Sequence, residues 1–165
     1  MLDTLKQTQT LKGIMGQYGV NTGLLVKAFA DIKDEDVFRR PEGGNSLHWI
    51  AGHVTDSRMF LGELTGLGTK SSWGELFNSG CEIKAPDAYP PLGEVLSTWK
   101  DTGDKLMARF GEISDEELAE SIEPDFPGQD KTVLGAIAFL SLHESYHVGQ
   151  LAYIRRLFGY ERLTG

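Results

Sequence analysis

Apolar positions recur along this chain at helical spacing, and no stretch shows the alternation expected of a strand. The clearest stripe runs through Thr132–Phe158, TVLGAIAFLSLHESYHVGQLAYIRRLF. On a wheel of roughly 100° per residue with His143 at the origin, Ala136, Leu140, His147, Gln150, Leu151, Ile154 and Phe158 fall within about 80°. His143 and His147 are therefore about 40° apart, one turn above the other, inside the stripe that faces the core. A second helix is predicted from Asn45 or Ser46, both competent caps, to about Leu64. With His53 at its origin, Ser46, Trp49, Ile50, Ser57, Phe60 and Leu64 lie within about 60°, whereas His48 is about 140° away and reads as a surface or secondary polar residue. A third helix is expected over Leu92–Phe110, with Val95, Leu96, Trp99, Leu106, Met107 and Phe110 on its stripe, and Ser114 with Glu117 forms a capping-box pattern for a short helix after it.

The first helix is expected over Asp3–Ile32, although Gly13, Gly16, Gly19 and Gly23 each cost it about 1 kcal/mol relative to alanine. Their spacing suggests a close approach by another backbone or a local break. A nucleotide loop is disfavoured, because no strand precedes them and no Lys-Ser/Thr pair follows. Asp31–Gly44 reads as a helix-ending connection. Gly66–Pro91 is a long connection able to run the length of a bundle, with a short helical turn where Ser72 could cap WGELF. The expectation is an all-α chain with four principal helices.

Composition narrows the classes. At 165 residues the chain suits one domain, 1–165. No apolar run approaches the ~20 residues of a membrane span, and the start, MLDTLKQTQTLKG, has no basic segment followed by an apolar one, so a cytoplasmic protein is expected. The single cysteine, Cys81, agrees; as a nucleophile it lacks a neighbouring base, and only Lys84 offers positive charge. A net charge of −8 argues against nucleic acid as a partner. Arg155, Arg156 and Arg162 form the one basic cluster of note, and Arg155 and Arg156 read as solvated residues complementing a helix C-terminus. In the long connection, Trp73, Phe77, Cys81 and Tyr89 either pin the loop to the bundle or cover a site.

The candidate chemistry lies in the histidines. Imidazoles in an apolar stripe are costly to desolvate unless their nitrogens are satisfied, and a divalent metal does this well. His53 alone would read as a satisfied core histidine; with His143 and His147 on a facing stripe it becomes the third member of a metal set. Three neutral imidazoles suit Zn²⁺ or Ni²⁺, with Fe²⁺ and Mn²⁺ admissible, and leave a coordination position open for water or a thiol. Glu144, Gln150 and Asp56 are the sequence neighbours able to orient the rings. HESYH also matches the HExxH pattern of metalloproteases, a reading disfavoured because those enzymes set the helix beside a sheet.

GNSLHWIAGHVTDSRMFL, SLHESYHVGQLAYIRRLFG and WGELFNSG together resemble the DinB and YfiT-like superfamily of small metal-binding bundles over essentially the whole chain. The most specific part is HxxxHxGQ, present as His143, His147, Gly149 and Gln150; the family's earlier histidine is matched by His53. The resemblance implies an up-down-down-up four-helix bundle, a three-histidine divalent metal site and often a homodimer. Relatives include S-transferases and isomerases dependent on bacillithiol or mycothiol, so a low-molecular-weight thiol is a possible second cofactor. Two functional readings result. One is an enzyme in which the metal activates a small thiol or water against a small-molecule substrate. The other is a non-catalytic metal- or ligand-binding stress-response protein.

Overall fold

The computed structural model describes residues 2–71, 73–127 and 130–164, with side chains from residue 10 onward. Its helices are α1 (Leu2–Phe29), α2 (Asp34–Val37), α3 (Leu47–Leu64), α4 (Gly74–Phe77), α5 (Leu92–Glu112), α6 (Asp115–Leu118) and α7 (Val133–Leu157). Among the described residues the sole β pairing is an isolated bridge between Ser121 and Thr132. The start signals act as their chemistry dictates. The Ser46 hydroxyl accepts from the Trp49 amide, Thr132 does the same for Gly135, and Ser114 and Glu117 complete a capping box. The expected cap at Ser72 lies outside the described residues; α4 begins after Trp73.

The four long helices α1, α3, α5 and α7 pack in a ring in which α1 meets α7 and α5, and α3 meets the same two. Cross-contacts give their directions. Asn21 reaches Ser145 and Arg155 reaches the Ala28 carbonyl, so α1 and α7 run parallel. His48 contacts Pro90 and Arg109 contacts Thr65, so α3 and α5 also run parallel. Trp99 bonds Thr22 while Tyr18 packs on Phe110, which sets α5 antiparallel to α1. The order is up-down-down-up, and the long connection between α3 and α5 makes it possible by returning the chain to the end where α3 began.

The apolar stripes build two core clusters. One gathers Leu25, Phe29, Leu47, Ile50, Val54, Trp99 and Leu151, and the other Tyr18, Leu61, Leu106, Phe110, Ile137 and Leu140. Each such side chain buried contributes about 1.5–3 kcal/mol. Between the clusters lies a polar layer. Arg58 donates from Nε and Nη2 to the two Glu144 carboxylate oxygens (2.6 and 2.9 Å), from Nη1 to the Trp99 carbonyl (3.3 Å) and from Nη2 to the Tyr18 carbonyl (3.2 Å). One guanidinium thus ties all four long helices. It also stacks 3.2 Å from the centre of the Trp99 ring, and Gly103 makes room for it, since a Cβ there would stand 2.4 Å from Arg58 Nη1.

Several expectations from the sequence are corrected. The α1 glycines produce neither a break nor a close approach: the helix is continuous, and no described atom lies within 4 Å of where a Cβ at Gly13, Gly16, Gly19 or Gly23 would sit. The connection after α1 contains the single-turn α2, held by Asp36, which accepts from Arg39 and Tyr160. Arg155 is not solvated. It lies on the same face of α7 as Glu144, is buried, and pairs with Asp31 (2.6 Å). His48 is fully buried rather than at the surface, because the face of α3 opposite His53 is covered by Phe38, Phe77 and Tyr89.

Candidate metal centre

Facing stripes of α3 and α7 bring together the three histidines that the sequence singles out. His53 Nε2 lies 2.9 Å from His143 Nε2, which lies 3.1 Å from His147 Nε2. Imidazoles bound to one ion at ~2.0–2.1 Å, at angles between octahedral and tetrahedral, would hold their nitrogens about 2.8–3.4 Å apart. The observed separations fall in that range. One possible ligand atom from each ring lies within 4.8 Å of the others, and this is the one such cluster of His, Cys, Asp and Glu among the described residues.

The outward nitrogens set the tautomers. His53 Nδ1 stands 2.7 Å from the Phe77 carbonyl, which can only accept, so that nitrogen carries the proton and Nε2 presents a lone pair. His147 Nδ1 stands 2.7 Å from Gln150 Oε1, and the Gln150 amide donates to the Tyr146 hydroxyl (3.1 Å), which again leaves Nε2 as an acceptor. His143 Nδ1 is buried with no partner among the described residues. Without a cation, a single proton on His143 Nε2 could serve one of its two neighbours and leave the other lone pair facing it. A divalent cation would satisfy all three nitrogens, so the donor set fits a metal.

Electrostatics favours the same state. Burial pushes His143 down to about 3, with the charges of His147 and His53 adding to the effect, and pushes His147 down to about 4 despite its bond to Gln150. His53 is lowered mainly by burial, against the opposing influence of Phe77 and Asp56. The rings are therefore neutral at pH 7, the form that ligates. All three residues are intermediate in burial. Trp49 stacks on His53 with centroids 5.0 Å apart, and Tyr146 meets His147 edge to face at 5.0 Å.

Of the proposed orienting groups, Gln150 bonds His147 directly. Asp56 bonds the Ser71 hydroxyl and acts on His53 only through its charge. Glu144 is not part of the centre. It sits on α7 between Leu140 and Leu151, 1% exposed, and is clamped by Arg58, so it cannot serve as the general base that the HExxH reading assigns it. The Phe77 carbonyl was not foreseen, since a backbone acceptor leaves no trace in residue type. Arg58 was not foreseen either, although a carboxylate in the middle of an apolar stripe is a signal that some cation must be buried opposite it.

A family model described as the DinB superfamily matches residues 17–151. The chain belongs to the DinB superfamily. Its fold is similar to the solved structure of YfiT from Bacillus subtilis, described as a probable metal-dependent hydrolase with an unusual four-helix bundle topology. The TM-score is 0.61 at 14% identity, over 96% of this chain and 89% of YfiT, so the likeness is one of fold. No curated protein matches the chain. The family assignment rests on that match, while the all-helical fold and the three-histidine cluster are read from the structure itself. No helix among the described residues is long and apolar enough to cross a membrane.

Proposed function

We propose that this DinB-superfamily chain is a metal-dependent enzyme in which His53, His143 and His147 hold Zn²⁺ or Ni²⁺ and a nucleophile, either water or a small thiol, is activated against a small-molecule substrate. The observation that carries the reading is the convergence of three Nε2 atoms at ligand spacing, two of them with Nδ1 already committed to Phe77 and Gln150. A divalent metal in such a set supplies Lewis acidity, lowering the pKa of a bound water to near 7 or holding a thiol as thiolate. The chain itself fixes the geometry. The Phe77 carbonyl and the Trp49 ring hold His53 in plane, Gln150 holds His147, and a set of three ligands leaves a coordination position open. Water as nucleophile is supported by the description of YfiT as a probable metal-dependent hydrolase, and thiol by the resemblance of the HxxxHxGQ segment to thiol-dependent relatives. A non-catalytic role would be favoured by a sealed set of four ligands; a set of three among the described His, Cys, Asp and Glu supports catalysis instead.

The test is metal analysis of protein purified without a histidine tag, coupled to parallel ester-hydrolysis and thiol-transfer assays of wild type, His53→Ala and His147→Ala. Wild type should carry a stoichiometric divalent metal, and both variants should lose metal and activity together. Full activity of His147→Ala in both assays at matched metal loading would end the proposal.

A further inference from the structure

Across Gln150 from His147 Nδ1, α7 and the loop before α3 enclose a cleft of about 800 Å³, to which α3 contributes Ile50. Its floor is the C-terminal half of α7 and its wall is the loop 41–45. We infer that this cleft binds the organic part of the substrate, and that this part is an uncharged aromatic or flat apolar group. The inference rests on the proposed reaction for the word substrate, and on the cleft alone for the class of ligand.

Position comes first. Gln150 and Tyr146 line the cleft and both also touch His147, so the cleft borders the candidate centre through these two side chains, although no histidine lines it. The volume is within the range of small-molecule sites and beyond what a few waters need. Chemistry gives the class. Tyr146 and Tyr153 are 61% and 65% exposed, so although Tyr146 meets His147 edge to face and accepts from Gln150, both rings present open surface, and Ile50 and Ile154 supply an apolar base. Among the lining residues Glu42 alone is charged, so the cleft contains no cation to hold an anionic group.

Two backbone features indicate that the cleft is built rather than incidental. Gly149 lies in the middle of α7 between the two tyrosines, where glycine weakens a helix, yet no described atom stands within 4 Å of where its Cβ would be. Packing therefore does not require glycine there, and its missing side chain leaves the floor between the two rings open. The opposite wall is pre-formed. Gly43 adopts φ 69°, which favours glycine, the Gly44 amide donates to the Pro41 carbonyl (3.0 Å), and Arg40 Nε donates to the Gly44 carbonyl (2.8 Å).

The experiment compares two probes with the same ring and different charge, 1-naphthaleneacetamide and 1-naphthaleneacetate, by titration calorimetry on full-length protein, both metal-loaded and chelator-treated. The two probes are compared on the chelator-treated protein, where the amide should bind and the carboxylate should bind at least about 10-fold more weakly, the carboxylate having to shed water with no cation to replace it. Tyr153→Ala should weaken the amide by about 3- to 10-fold, the range of one aromatic contact. Gly149→Leu should abolish binding while circular dichroism, melting temperature and metal content stay at wild-type level or better. Binding unchanged in Gly149→Leu, or a carboxylate bound as tightly as the amide, overturns the inference. So does absence of probe binding in wild type accompanied by a change in sedimentation on Tyr153→Ala, which would make the face an interface with a second copy of the chain. Metal loading separates the two readings: a metal-replete protein that ignores the probe removes only the cleft, and a probe-binding protein that takes up no metal removes only the reaction.

Discussion

Arg58 and Glu144 stand little more than a turn from His53 and His147 along the same pair of helices, and the two polar clusters answer burial in opposite ways. The ion pair is closed. Arg58 donates to Glu144, Trp99 and Tyr18, both partners are 1% exposed, and neither side chain needs anything from outside the chain. The histidines are open, with three acceptor-capable nitrogens facing one another at 2.9 and 3.1 Å and nothing in the chain that answers all of them. A polar cluster that satisfies itself holds helices in register. One that leaves lone pairs converging is where the proposed cation would sit.

Breaking the closed cluster should have the largest effect. Arg58→Ala leaves the Glu144 carboxylate buried without its cation and should cost about 3–5 kcal/mol in urea unfolding, the usual penalty for removing one partner of a buried pair. A loss below about 1 kcal/mol would show that the layer is not the closed structure described. Acid should act on the open cluster next. In metal-free protein His53, His143, His147 and the buried His48 all have folded pKa values below the ordinary 6.5, with His143 at about 3 and His147 at about 4. The unfolded chain therefore binds more protons below pH 6.5, so the stability linked to the neutral rings is complete above that pH and falls progressively as pH drops toward 4. Denaturant midpoints at pH 7, 5.5 and 4.5 should decline in wild type and decline less in His143→Ala; parallel slopes would sink this reading. The smallest effect sharpens the contrast. Gln150→Ala should weaken metal binding by about 10- to 100-fold while leaving urea unfolding of the metal-free chain nearly unchanged, because Gln150 orients a ring and is not part of the core. A matching loss of stability would place Gln150 with the structural layer instead.

The four long helices follow from helical periodicity, which also puts His53, His143 and His147 on faces that meet; the rings sit at the edge of the buried faces rather than inside them, since Val54 and Leu61 on α3 and Glu144 and Leu151 on α7 are buried while the three histidines are only partly so. What periodicity does not show is which partner meets a polar side chain across a contact, whether from a loop or from another helix. His48 was placed at the surface because its wheel position opposes the stripe, yet α2's neighbour Phe38 and the loop residue Tyr89 close over it and the Pro90 carbonyl meets its Nε2 at 2.9 Å. Arg155 reads as a helix-end cation by position and is a buried partner of Asp31 by contact. The role of Glu144 is set by Arg58, a residue on another helix that periodicity alone does not pair with it.

The end of α4 ties the long connection to the centre by two successive carbonyls: Leu76 accepts from the Trp49 indole (3.2 Å) and Phe77 from His53 (2.7 Å). The Phe77 ring fills the space above Gly52, where a Cβ would stand 2.1 Å from it. The acceptor that orients His53 is therefore seated by a fully buried ring in the long connection, so a mutation in that loop can turn a histidine of the cluster without touching a ligand.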